Sequence, residues 1–130
     1  MNEAYLVGAG QSAFGSFPDE SYRSLFRTAY ERALASTTPA ADDAVGGSAE
    51  SDEAGPLGGA EIDEAYIGTL GVGGRQLGLS GPAITEHLGL HGVPCTRVEN
   101  ACAASGYALR QAVMAVRSGM ADLVLAGGVE

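Results

Sequence analysis

Four short apolar runs, each passing directly into glycines or other small residues, constrain this chain more than any other feature. They fall at 4–7, 62–69, 94–98 and 122–126. Gly8 and Gly10 follow the first, Gly71-Val72-Gly73-Gly74 the second, Ala101-Cys102-Ala103-Ala104 the third and Gly127-Gly128 the fourth. Runs this short, bounded by turn residues, read as buried strands. Between them lie segments of helical period, so the order is βαβαβαβ. Strands separated by helices cannot pair as hairpins, and the expected fold class is α/β: a mostly parallel sheet with right-handed crossovers and helices on both faces.

The helical segments are legible in detail. Over 22–35, Leu25, Phe26, Ala29, Tyr30, Ala33 and Leu34 share one face, with Asp19 or Ser21 available as the cap. A helix of about 10 residues is expected over 79–88. From Ser105 onward, Ala108, Leu109, Ala112, Val113 and Val116 recur at i, i+3, i+4 and i+7, which predicts a long, largely buried helix. Ser118-Gly119 stops it, because glycine takes the left-handed cap without strain. Residues 36–60 carry Asp42, Asp43, Glu50, Asp52 and Glu53 and no basic residue. That composition predicts a mobile acidic loop inserted into one domain.

Cys102 sits where the third strand turns into the third helix. Sulfur at a helix N-terminus meets unpaired backbone N–H groups and the positive end of the dipole, which favour the thiolate and make Cys102 a candidate nucleophile. A free cysteine among alanines is also a common small core residue, and the residues alone leave both roles open. Cys95, within the third strand, reads as a core thiol, and two cysteines are too few for a disulfide scaffold.

Charge and length narrow the function classes. Sixteen acidic residues against 7 basic give a net charge of −9, and no Lys/Arg cluster could follow a phosphate backbone, so nucleic-acid binding is disfavoured. An acidic surface poor in lysine suits a salty cytoplasm, where screening weakens self-repulsion; a merely acidic protein has the same composition. No run approaches the roughly 20 apolar residues of a membrane span, and the N-terminus lacks a signal-peptide pattern, so the expectation is a soluble cytoplasmic protein with no membrane partner. At 130 residues there is chain for a single core.

Two other constellations carry weaker signals. Gly8-Ala9-Gly10-Gln11-Ser12-Ala13 satisfies a relaxed dinucleotide fingerprint. Gly15 and Pro18 interrupt the helix that should begin there, and no acidic residue ends a strand about 20 residues on. His87, His91 and Cys95 follow one another at four-residue steps, but Gly89 and Gly92 break the helix that would align them, and no metal site is expected.

Three segments in order resemble the thiolases: Tyr5-Leu6-Val7-Gly8-Ala9-Gly10-Gln11-Ser12-Ala13-Phe14-Gly15, the stretch from Val98 to Gly106, and Val124-Leu125-Ala126-Gly127-Gly128-Val129-Glu130. The likeness is to the sterol-carrier-type and archaeal-type acetyl-CoA acetyltransferases. It implies that residues 1–130 form part of a thiolase N-terminal domain, with Cys102 as the acyl-carrying nucleophile. Coenzyme A thioesters would be substrates, with no bound cofactor. It further implies a homo-oligomer or a separate C-terminal half, and association with a hydroxymethylglutaryl-CoA synthase through an OB-fold protein. Ser105, Asn100, Gly127, Gly128 and Glu130 would shape the turn and strand end.

The sequence departs from that family in two respects. Cys102-Ala103-Ala104-Ser105-Gly106 holds one more small residue than the C-x-S-G form, and the G-H-P histidine and C-x-G cysteine of the second half are absent. The chain alone is therefore expected to be inactive. Alternatives are a 3-oxoacyl synthase or hydroxymethylglutaryl-CoA synthase-like half, or a non-catalytic acyl-CoA-binding or interaction module.

Overall fold

The computed structural model describes residues 2–37, 62–71 and 78–130. In chain order these form α1 (Tyr22–Ser36), β1 (Glu64–Gly68), α2 (Ser80–His87), β2 (Cys95–Val98), a 3₁₀ turn (Ala101–Ala103), α3 (Ala104–Ser118) and β3 (Val124–Gly128). The strands make one parallel sheet in the order β2-β1-β3. The α/β class is thus realised, with the first of the described strands in the middle. Most of the expected acidic loop at 36–60, and Val72 to Gly74 of the glycine run, lie outside the described residues.

Local chemistry accounts for the helix ends. Ser21 caps α1, accepting from the N–H of Ser24 while the Ser24 hydroxyl accepts from the N–H of Ser21, a reciprocal box that satisfies two otherwise unpaired donors. Gly119 ends α3 in the left-handed conformation at φ 78°, as its sequence predicts.

The two faces of the sheet are packed differently. Phe26 and Tyr30 of α1, Ile84 of α2 and Ile67 of β1 form one cluster with Ile62 and Leu90. Ile67 and Ile84 are fully buried, and truncating either to alanine is expected to cost about 2–5 kcal/mol. On the other face α3 lies close against the strands. A Cβ built on Gly68 would stand 2.6 Å from the backbone of Ala104 and Ser105, while one on Gly127 would meet the Phe26 ring at 2.6 Å. Successive strand residues point to opposite faces, so α1 and α2 cover one side and α3 the other.

Two expectations are corrected. The buried residues of α3 are Ala104, Ala108, Ala112 and Ala115, whereas Leu109 is 50% and Met114 52% exposed. Ala104 and Ser105 meet the bare backbone of Gly68, while Leu109, Val113 and Val116 line a hollow beside the outer edge of β3. The apolar segment 4–7 is not a strand, and Tyr5, Leu6 and Val7 are exposed. Hydrogen bonds flanking it go to helices: Asn2 N–H donates to the Arg117 carbonyl at 3.1 Å and Ala9 N–H to Ser36 Oγ at 2.9 Å. A hollow of about 560 Å³ separates residues 3–10 from the outer edge of β3.

Candidate active site

Strand β2 leads directly into the turn that carries the cysteine. Beyond β2 the chain passes through Glu99 and Asn100 into Ala101, which has φ +45° and is the one non-glycine residue with positive φ among those described. The Glu99 carboxylate accepts from the Ala101 N–H at 2.7 Å, Ala103 N–H donates to the Asn100 carbonyl at 2.9 Å, and Ala104 N–H to the Ala101 carbonyl. These bonds close the turn; the N–H of Cys102 is not among them.

Cys102 is exposed on this turn and lines an open cleft of about 340 Å³. The walls are Leu70, beyond the end of β1; Gly128, Val129 and Glu130, at and beyond the end of β3; and Ala101, Ala104 and Ser105. The cleft therefore stands at the carboxyl ends of parallel strands, where the topology of open α/β sheets leaves a crevice. Ladder bonds run past the strand ends into its rim, from Thr69 N–H to the Val98 carbonyl and from Val129 N–H to the Gly68 carbonyl, both 3.1 Å.

Leu70 is held from two sides. Its N–H donates to the Glu130 carboxylate, and its carbonyl accepts from Arg97 Nη2 at 3.2 Å. Glu130 thus ties the end of β3 to the segment after β1, a shaping role consistent with its place in the sequence pattern. Nothing in the spacing of Leu70 or Arg97 advertises this arrangement. Glu99 carries a weak signal, a carboxylate two residues before the small-residue turn.

The second cysteine is a different environment. Cys95 is half-buried in β2 beside Gly81 of α2, and burial pushes its thiol up to about 11, against a smaller opposing effect of a hydrogen bond with Thr85. It is a packed thiol remote from the cleft lining. His87 is the last residue of α2, and Gly89 at φ 80° turns the chain away before His91, so the two histidines do not share a helix face. Gly8 and Gly10, the glycines of the dinucleotide-like run, lie against α1: an added Cβ on Gly10 would stand 2.2 Å from the Ala29 carbonyl oxygen. Close packing on a helix is what those glycines serve.

The chain is similar to known proteins over its whole length. The family described as beta-ketoacyl synthase, N-terminal domain, matches residues 45–130. An acetyl-CoA acetyltransferase of Methanocaldococcus jannaschii is 39% identical over 133 residues, covering 100% of this chain and 29% of the relative. One from Methanothermobacter thermautotrophicus is 36% identical over 132 residues, covering 100% of this chain and 30% of the relative. A polyketide synthase component of Streptomyces venezuelae is 42% identical over 69 residues, 53% of this chain and 2% of its own length. Fold and family match together define an α/β domain of the family described as beta-ketoacyl synthase, N-terminal domain. The chain belongs to the thiolase family, as an N-terminal portion of it. It spans under a third, 29% and 30%, of the two acetyltransferases it matches.

Proposed function

We propose that Cys102 carries an acyl group in a thiolase-type acyl transfer. The observation that supports this most is its exposed position in a cleft at the carboxyl ends of the strands. The Cys102 thiolate adds to the carbonyl carbon of an acyl-CoA thioester, and the tetrahedral intermediate collapses to a Cys102 thioester as coenzyme A leaves as its thiolate and takes up a proton. The N–H of Cys102, unused by the turn, is available to the developing oxyanion, a donor of a kind typically worth about 3 kcal/mol. In the synthetic direction the enolate of a second acyl-CoA attacks the thioester in a Claisen condensation; the reverse is thiolysis of a 3-oxoacyl-CoA.

The 130 residues contain neither a G-H-P nor a C-x-G motif. We therefore assign proton transfer during turnover to residues outside this sequence, and to the chain alone a single acylation of Cys102 with no turnover. A 3-oxoacyl synthase is the second reading, favoured by the matching family and by the polyketide synthase relative. Both readings pass through the same thioester.

Intact-mass measurement after exposure to acetyl-CoA tests the first step. One acetyl group, removed by hydroxylamine and absent from Cys102→Ser, is expected. Acetylation that persists in Cys102→Ser would refute the assignment. Steady formation of acetoacetyl-CoA by this chain alone would refute its inactivity.

A further inference from the structure

The turn before the sulfur is strained at one residue and braced by another. Ala101 takes φ +45°, a region in which a Cβ crowds the backbone. The five other described residues with positive φ are glycines: Gly71, Gly78, Gly89, Gly92 and Gly119. Ala101 is also the residue that sends the chain from β2 into the 3₁₀ turn holding Cys102. Its N–H is fixed by the carboxylate of Glu99 at 2.7 Å, and both Glu99 and Ala101 are exposed, so no packing holds them. An exposed strained residue persists only where a specific bond over-determines it.

We propose that Glu99 is a positioning residue for Cys102. Its carboxylate fixes the peptide N–H of Ala101, holds that residue left-handed, and so presents the sulfur to the cleft. The carboxylate is used as a hydrogen-bond acceptor. A negative charge three residues from a thiol opposes the thiolate, so charge itself gives no advantage at this place, while an ionised acceptor makes the shorter and stronger bond. Glutamine at 99 keeps the acceptor oxygen at the same reach and removes the charge. Glycine at 101 removes the conformational penalty the bond offsets.

The proposal rests on Cys102 as the reactive thiol, and the test separates the two ideas. The full chain and its Glu99→Gln, Glu99→Ala and Glu99→Ala/Ala101→Gly variants are treated with iodoacetamide under native conditions, and the rate at each cysteine is read by peptide mapping. Glu99→Ala is expected to slow alkylation of Cys102 about tenfold, the consequence of losing one bond to a charged acceptor. Glu99→Gln is expected to react at or above the parent rate, and the double variant to recover most of the loss. Cys95 monitors folding, since an unfolded variant labels there too. If Glu99→Ala unfolds, the Glu99→Gln rate and the Ala101→Gly single variant, which is expected to retain the parent rate, still decide.

Equal rates in Glu99→Ala and the parent, or a Glu99→Gln variant as slow as Glu99→Ala, would overturn the positioning role. Acetyl-CoA is then offered to the parent chain alone. Failure to acetylate Cys102 there, with the iodoacetamide pattern intact, would sink the acyl-transfer reading and leave Glu99 in its role.

Discussion

The hydroxyl of Ser105 occupies the place a side chain at Gly128 would need: a Cβ added there would lie 1.7 Å from Ser105 Oγ and 2.7 Å from Ser105 Cβ. The first turn of α3 and the end of β3 are thus in backbone-level contact beside the cysteine cleft. Gly128→Ala is expected to destabilise the chain by about 1–3 kcal/mol through overpacking, read as a lowered thermal midpoint. Adding Ser105→Gly should restore most of it. Gly68→Ala should not be rescued in that way, because its Cβ would meet the backbone of Ala104 and Ser105 at 2.6 Å. Equal rescue of both would contradict the packing described.

The two thiols should separate by pH. With burial holding Cys95 at about 11, native alkylation near pH 8 is expected almost wholly at Cys102, and Cys95 should label only on unfolding or at strongly alkaline pH. Peptide mapping checks this, and comparable labelling at both positions would count against it.

The same group makes the fold alkali-sensitive. The thiol is raised from 9.0 in the unfolded chain to about 11 in the fold, so its contribution is fully present below about pH 9 and lost as pH climbs through 11. Denaturant titrations from neutral to alkaline pH should show falling stability over that window. Cys95→Ala should flatten the curve, leaving the part due to Tyr30 and Tyr66, whose hydroxyls burial also pushes up.

On the acid side the sensitive group is Asp63. Its carboxylate accepts from Leu123 N–H at 3.0 Å and Asp122 N–H at 2.8 Å, which holds it below the usual range and ties the start of β3 to β1. The contribution is present above the unfolded value of 3.8 and disappears as pH falls through the lower folded value. Asp63→Ala should lower the thermal midpoint at pH 7 and have little effect once the carboxylate of the parent is protonated. A constant difference across that range would contradict the assignment.

Substitutions on α3 should invert ordinary expectation. Ala108→Leu, at a fully buried position, is expected to cost about 1–3 kcal/mol, whereas Met114→Gln, on the exposed face, should stay within about 0.5 kcal/mol. Denaturation midpoints compare the two.

How much of this was legible follows from what each signal encodes. Ser21 and Gly119 mark helix ends because capping is settled within a few residues, and the turn at Cys102 is legible because a strand-to-helix turn of small residues is a local pattern. The inward face of α3 was misread because Leu109 and Val113 outweigh alanine in any hydrophobic period. Both residues line the hollow between residues 3–10 and β3, whose far wall is set by a segment distant in the chain. The segment 4–7 has strand composition, but pairing depends on where its flanking backbone is anchored, and Asn2 and Ala9 are bonded to helices.

The order β2-β1-β3 carries a consequence for synthesis of the chain. The central strand emerges first, then the cysteine, and the wall opposite it is supplied by Gly128, Val129 and Glu130. A nascent polypeptide that has already released Cys102 from the ribosome still lacks the far side of its crevice until the last of those residues has emerged and registered against β1.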